Sequence, residues 1–320
     1  MIYPKISIVT PSYNQGQYIE QTILSVINQR YPNLEYIIID GGSTDNTVEI
    51  IKKYEHKITY WVSEKDDGQS DALNKGLAKC SGEIFNWINS DDYLEEESLF
   101  KIGTYFYNNP TTVALCGWCS YFGENQFKEK IVYRSALFDT IEETLVQQHI
   151  NQPATFYKLD VVKKLGQINM SFHYIMDLDL WFRFLVQFGQ KNILLVDDMF
   201  AHFRLHDDSK TVQFQEKFKE DEKLLWHKLL SSLKVEKSIT DFFETQRKYP
   251  ENIIWQFNNI SKATLIKQIS KKYLFEFYKT NNYEAAKIAF WNQLKAGNLF
   301  FRRIYIYMFY NLFVNPFTKK

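Results

Sequence analysis

Leu34-Glu35-Tyr36-Ile37-Ile38-Ile39-Asp40-Gly41-Gly42-Ser43-Thr44-Asp45 is the stretch whose reading decides the fold. Ile37-Ile38-Ile39 is apolar without alternation, the pattern of a strand covered on both faces, and parallel sheets bury their strands that way. The strand ends in a carboxylate and a Gly-Gly turn. Asp45 to Tyr54 then reads as a helix, with Ser43 and Thr44 as cap candidates. Upstream, Lys5 to Thr10 is a strand and Tyr18 to Gln29 a helix. Downstream, Thr59 to Ser63 is a strand, Ser70 to Lys79 a helix and Glu83 to Ile88 a strand. Strands alternating with helices imply βαβ units and a parallel sheet. The turn glycines match neither G-x-G-x-x-G nor G-x-x-x-x-G-K-[ST], which disfavours a dinucleotide fold or a P-loop.

Ligands of such sheets bind beyond the carboxyl ends of the strands. Those ends carry Thr10-Pro11-Ser12-Tyr13-Asn14, then Asp40 to Asp45, then Glu64-Lys65-Asp66-Asp67-Gly68, then Asn89-Ser90-Asp91-Asp92. Four consecutive ends are polar, and most are acidic, so an organised site lies along one edge. Asp91 and Asp92 form a hard-oxygen corner of the kind Mg2+ or Mn2+ chooses, with substrate phosphates completing the shell. An Asp pair that merely caps a turn is the plainer alternative.

Further along, Val113 to Tyr133 reads as one or two strands and Gln152 to Tyr157 as another. Leu159 to Leu165 is a helix. Asp177 to Phe188 is a helix with Leu178, Trp181, Phe182 and Leu185 as its apolar stripe. Asn192 to Val196 and Phe200 to Leu205 read as two strands, and the pattern is helical beyond Ser209. The expected fold is therefore α/β: a sheet of mostly parallel strands flanked by helices, with a helical C-terminal extension. Residues 1–211 form the α/β region. Residues 212–320 form the helical C-terminal region.

Apolar residues make up 45% of the 320, enough for a substantial core. Net charge is zero but unevenly spread. From Glu251 onward there are 11 Lys and Arg against 3 Asp and Glu, a net of +8, which leaves −8 for the preceding body. Nucleic-acid binding is disfavoured, since phosphate affinity needs basic stripes on the body. The basic tail carries Phe300, Phe301, Tyr305, Tyr307, Phe309, Tyr310 and Phe313 with Arg302, Arg303, Lys319 and Lys320, a composition suited to a membrane interface. Packing of those aromatics on the catalytic region is the alternative. No apolar stretch approaches the ~20 residues of a membrane span, and no signal peptide is legible at the N-terminus. The expected location is cytoplasmic, peripheral on the inner face of the plasma membrane. Cys116-Gly117-Trp118-Cys119 has redox spacing, but its flanks read as strand, where residues three apart face opposite sides.

Taken in order, Ile8 to Asn14, Ile39 to Asp45, Gly68-Gln69-Ser70-Asp71-Ala72-Leu73-Asn74-Lys75-Gly76, Asn89 to Asp92 and Met176-Asp177-Leu178-Asp179-Leu180-Trp181 resemble a family-2 glycosyltransferase of the GT-A fold. The resemblance covers roughly Lys5 to Thr211, and many such enzymes build bacterial surface polysaccharides. It implies that residues 1–211 form a catalytic domain, with a GT-A-type nucleotide-binding sheet to about 110 and an acceptor half over about 111–211. It implies that Thr10, Pro11 and Tyr13 line a nucleoside pocket, that Asp40 contacts the base, and that Asp66 faces the nucleotide, with Asp67 its chemical equal. Asp91 would lie near ribose or donor sugar. Asp92, closing the D-x-D-like element Ser90-Asp91-Asp92, would hold the metal with His206. Asp177 would be the catalytic base, kept ionised at a helix N-terminus, with Asp179 as fallback. Arg204 would balance the diphosphate, because no Arg stands between Asp71 and Asn74, and Asp179 and Trp181 would lie toward the diphosphate or acceptor.

The implied activity is an inverting, metal-assisted, hexosyltransferase-type transfer. A sugar would pass from a nucleotide-sugar donor, a UDP-sugar by preference, to a hydroxyl of a glycan or lipid-linked acceptor. The divalent cofactor would be Mn2+ or Mg2+. The alternatives are a nucleotidyltransferase, which lacks support because the first strand is not followed by a basic Gly-rich loop, and a non-catalytic carbohydrate- or nucleotide-binding protein.

Overall fold

The computed structural model describes residues 3–123, 131–297 and 303–314. From Ile6 to Trp87 strand and helix alternate: β1 (Ile6–Ser12), α1 (Ile19–Ile27), β2 (Leu34–Asp40), α2 (Thr47–Tyr54), β3 (Tyr60–Ser63), α3 (Gln69–Lys79) and β4 (Ile84–Trp87). There follow β5 (Tyr93–Leu94), α4 (Ser98–Asn108), β6 (Ala114–Gly123), β7 (Ile131–Arg134), α5 (Ile141–Gln147), β8 (Thr155–Lys158), α6 (Leu159–Leu165), α7 (Met176–Phe188) and β9 (Ile193–Leu205). The remainder is helical: α8 (Lys210–Gln213), α9 (Gln215–Ser232), α10 (Lys237–Thr240), α11 (Lys262–Lys279), α12 (Tyr283–Lys295) and α13 (Arg303–Phe309).

Strands β3, β2, β1 and β4 are parallel throughout and lie side by side in that order. Beyond β4 the sheet continues through β8, β6, β9 and β5, with parallel and antiparallel pairs mixed. Strand order reverses at β1, which sits between β2 and β4, and a crevice opens beyond the strand ends at such a reversal. The apolar run of β2 explains itself here. Ile38 packs with Ile6, Ile8 and Tyr36 on one face, beneath α1, α2 and α4. Ile37 and Ile39 pack with Val9, Phe85 and Trp87 on the other, beneath α3, α6 and α7.

The second of these clusters runs on through Trp226, Leu265, Phe277 and Ala289, so the C-terminal helices share the core of α7. The boundary near 211 marks a change of element type, and the apolar core is continuous across it. Cys116 and Cys119 lie in opposite clusters, one on each face of β6, with burial pushing both thiols up.

Two local readings are corrected. The two strands expected between Asn192 and Leu205 are one, because the pairing with β6 continues across a register shift around Gly117, where an added methyl would lie 2.4 Å from Phe200. Ser43 and Thr44 do not cap α2. The Ser43 hydroxyl binds Asp40, and Asp45 accepts the Thr47 amide at 3.0 Å instead.

Glu35 pins the start of the sheet. Its carboxylate accepts from Lys5 Nζ at 2.7 Å, Ser7 Oγ at 2.6 Å, and the Ser81 amide and hydroxyl at 2.7 and 2.6 Å. Burial alone would raise its pKa, but these donors outweigh it and hold the group down at about 2. The folded form therefore binds fewer protons than the unfolded chain. The stabilisation, about 3 kcal/mol, is complete above the ordinary carboxylate range and is lost as pH falls toward about 2. Glu35→Gln should flatten the dependence of the urea midpoint on pH between neutrality and pH ~3. An unchanged slope in the variant would rule this account out.

Candidate functional site

The carboxyl ends of β1 and β2 are stitched together. Asp40 is fully buried; its Oδ2 accepts from the Gly42 amide at 3.2 Å, the Ser43 amide at 2.9 Å and Ser63 Oγ at 2.6 Å, and its Oδ1 accepts from Ser43 Oγ at 2.5 Å. Asn14, in the left-handed region at φ 51°, donates its amide to Ser43 Oγ at 2.7 Å and accepts the Thr44 amide at 2.8 Å. Asp40 thus braces the Gly-Gly turn from within. Thr10 is likewise internal, its hydroxyl 3.2 Å from that of Tyr36, and Pro11 is buried inside β1. Tyr13, 58% exposed, stands at the mouth.

Asp66 turns inward over Gly41, where an added methyl would meet its Oδ2 at 2.7 Å, while Asp67 is exposed to solvent. Burial pushes the Asp66 carboxyl up, against the pull of the Gly68 amide and the Lys75 charge. The choice between these two carboxylates, open in the sequence, is made by packing.

At the end of β4 the neighbouring carboxylates diverge. Asp92 is 1% exposed, with Oδ1 accepting the Arg204 amide at 2.9 Å and Oδ2 accepting Asn89 Nδ2 at 3.3 Å. Burial first, and the charge of Asp91 second, push its carboxyl well above the usual range. It anchors the loop from behind. Asp91 is the one that looks outward, with Oδ2 3.2 Å from His206 Nε2.

One carboxylate oxygen and one imidazole nitrogen fit a hard or borderline divalent cation. The other nitrogen of His206, Nδ1, is buried with no partner among the described residues, so no network behind the ring consumes it. Among the described residues no group of three or more His, Cys, Asp or Glu is gathered for a metal. A cation here would need oxygens from a substrate. The expected row His202, Arg204 and His206 splits: His202 is buried against Ser120 and Glu95, and Arg204 packs over Tyr18 and Phe122 with Nε on the Asp91 carbonyl.

Asp177 stands in the first turn of α7, partly exposed. Burial pushes its carboxyl up, and the amides of Leu178 and Asp177 itself only partly offset that. The helix terminus therefore does not hold the group low, as expected. Asp179 and Trp181 are core residues, both 0% exposed. Asp179 binds Arg183 Nε at 2.8 Å and the Tyr249 hydroxyl at 2.5 Å, and Trp181 stacks on Phe184. Neither has the exposure a substrate contact needs.

The loop before Asp177 is tied to α3. Ser70 Oγ donates to the Phe172 carbonyl at 3.0 Å, and Asn74 exchanges two hydrogen bonds with the backbone of Ile168, at 2.9 and 2.8 Å. Gln69, at the start of α3, donates its side-chain amide to Asn89 Oδ1 at 2.8 Å, so α3 links the loop after β4 to the loop before α7.

A family model described as glycosyl transferase family 2 matches residues 7–166. The chain belongs to that family. An uncharacterized glycosyltransferase of Rickettsia typhi is 29% identical over 243 residues, covering 72% of this chain and 73% of its own length. A putative teichuronic acid biosynthesis glycosyltransferase, TuaG of Bacillus subtilis, is 39% identical over 101 residues, 31% of this chain and 40% of that protein. Among solved structures, Staphylococcus aureus TarS 1–349 in complex with UDP-GlcNAc aligns with TM-score 0.56 and 14% identity over 93% of each chain. A Pyrobaculum calidifontis mannosyltransferase in complex with GDP-Man and Mn2+ aligns with TM-score 0.55 and 14% identity, over 93% of this chain and 76% of that one. At these identities the structures show the fold, which is GT-A.

Within this family-2 fold, the contacts of Lys210 with Gln69 and the His173 carbonyl are not foreseen from the sequence, which reads Ser70 and Asn74 as motif letters without a role. Lys210 could have been suspected from its place four residues after His206. The family match ends before α7, so the role of Asp177 rests on geometry and chemistry.

Proposed function

We propose that this family-2 glycosyltransferase moves a sugar from a nucleoside-diphosphate donor, a UDP-sugar by preference, to a hydroxyl of a glycan or lipid-linked acceptor, with inversion and with Asp177 as base. The observation that carries this reading is the tie from α3 to the loop before Asp177 through Ser70 and Asn74. It supports a common site because the same helix reaches the loop after β4, where Gln69 donates to Asn89 Oδ1 at 2.8 Å, two residues from Asp91. The donors bound in the structural relatives, UDP-GlcNAc and GDP-Man, support the nucleotide-sugar class, and the teichuronic acid relative supports a polysaccharide product.

Tyr13 and Asp66 border the nucleoside end, and the stitched turns at Asp40 and Asn14 keep that end rigid. Asp91 and His206 are the residues that would hold Mn2+ or Mg2+. When bound, the cation supplies Lewis-acid stabilisation of the leaving diphosphate. Asp177 accepts the proton of the attacking hydroxyl as the new bond forms, and a single carboxylate on that side gives direct displacement. Trials of UDP-GlcNAc, UDP-glucose, UDP-galactose and GDP-mannose with Mn2+, Mg2+ or EDTA test the reading. Nucleoside diphosphate should be released from a UDP-sugar with metal, and Asp91→Asn should slow that release about 100-fold. Absence of release from every donor with either metal, at protein concentrations near those of substrate, would end this reading.

The tail supports an acceptor met at a lipid surface. Ile304, Ile306, Tyr307, Tyr310 and Val314 are exposed on and just after α13, in the segment of net charge +8. Phe300, Phe301, Arg302, Lys319 and Lys320 lie outside the described residues. Among the described residues no helix is long and apolar enough to cross a membrane. Ile306→Glu combined with Tyr307→Glu should abolish sedimentation with vesicles rich in phosphatidylglycerol at low salt. Unchanged partitioning would remove the membrane from the proposal.

A further inference from the structure

Two cations stand near Asp91, and their surroundings differ. Arg204 is spent on the protein. Its guanidinium lies 4.9 Å over Tyr18 and 4.7 Å over Phe122, with Nε on the Asp91 carbonyl at 3.0 Å and a terminal nitrogen on Gln21 Oε1 at 2.5 Å. Its own amide holds Asp92. It fixes the 89–92 loop, and releasing it toward a ligand would undo that loop.

Lys210, on the four-residue α8, is different. Its Nζ donates to Gln69 Oε1 at 2.9 Å and to the His173 carbonyl at 3.2 Å, both neutral oxygens, and it joins no ion pair among the described residues. Burial of its ammonium lowers the pKa, and the charge of Asp91 opposes that. An ammonium has three hydrogens, so one remains beyond these two contacts. Gln69 follows Gly68 at the start of α3, and its amide donates to Asn89 Oδ1 at 2.8 Å, which continues to Asp92. His173 lies beside Gly68, within 3.7 Å of where a methyl there would sit, and four residues before Asp177. Lys210 therefore bridges the end of α3 and the loop before Asp177, beside the outward carboxylate of the site.

We propose that Lys210 binds the diphosphate of the donor and holds its charge as it leaves, the role the sequence reading assigns to Arg204. This rests on the donor class proposed above. A diphosphate seated against Asp91 and His206 brings anionic oxygens to an ammonium otherwise satisfied only by neutral acceptors. The remaining hydrogen can take a phosphate oxygen in a charge-assisted bond, while the contacts to Gln69 and the His173 carbonyl hold the ammonium in place.

The test is calorimetric titration of the full chain with UDP and with uridine in Mn2+ buffer, using the parent, Lys210→Met and Lys210→Arg. Lys210→Met should weaken UDP about tenfold or more, leaving uridine unchanged, and Lys210→Arg should retain UDP within about threefold. Equal UDP affinity in parent and Lys210→Met overturns the assignment and leaves the donor reading standing. Equal weakening of UDP and uridine makes Lys210 a structural residue and overturns it too. Failure of the parent to bind UDP at all removes the donor preference, and this assignment with it.

Discussion

Asp177→Asn is expected to lower the rate of sugar transfer about 1,000-fold or more, with UDP affinity changed by less than about twofold. The carboxamide keeps the shape of the side chain but cannot take the proton of an attacking hydroxyl. It sits in α7, whereas the proposed donor contacts lie at the ends of β1, β2, β3 and β4 and after β9, so the loss should fall on kcat. The pH profile carries a second signature. Burial raises the Asp177 carboxyl above the ordinary range. A base works only when ionised, so the acid limb of kcat should lie above the pH at which an ordinary carboxylate titrates, and activity should fall as pH drops through it. Transfer by Asp177→Asn at parental rates would remove Asp177 from the chemistry.

The largest stability effect is expected from Arg183→Met. Arg183 and Asp179 are 1% and 0% exposed, four residues apart on α7. The guanidinium binds Asp179 at 2.8 Å and also the carbonyls of Leu165 at 2.8 Å and Gln167 at 3.2 Å. Removing it leaves a buried carboxylate whose remaining donor is the Tyr249 hydroxyl, together with two carbonyls stripped of a partner. Breaking a buried pair from one side costs about 3–5 kcal/mol, to be read as a fall in urea midpoint at constant slope. Tyr249→Phe, which deletes one hydroxyl donor and keeps the ring, should cost about 1–2 kcal/mol. A loss below about 1 kcal/mol for Arg183→Met would show that Asp179 finds another partner or takes up a proton. Arg183 also holds the segment from Leu165 toward Asp177, so this variant should lose transfer activity at temperatures where it remains folded.

How far the site could be read beforehand differs from residue to residue. The acidic strand ends were plain, because turn chemistry and apolar periodicity are local. Asp66 was named, but its advantage over Asp67 comes from Gly41, whose missing side chain leaves room for that carboxylate. Asp40 was assigned to a ligand, yet Ser43 and Ser63 claim its oxygens. Asp179 was a fallback base until Arg183 and Tyr249, the latter 70 residues on, were found to bind it. The C-terminal helices looked like an appendage and in fact supply part of the core that seats α7.

By itself the amino-acid order determined the alternation of strands and helices, the edge on which polar loops gather, and the family. All of these follow from spacing within a few residues. Only the tertiary structure decided that Asp91 faces outward and Asp92 inward, that Asp177 is accessible and Asp179 is not, and that Lys210 rather than Arg204 has charge to spare. Adjacent side chains of the same type are chemically equivalent along the chain. What separates them is which distant donors reach each one, and Asn89, Arg204, Arg183 and Tyr249 arrive there only through the fold.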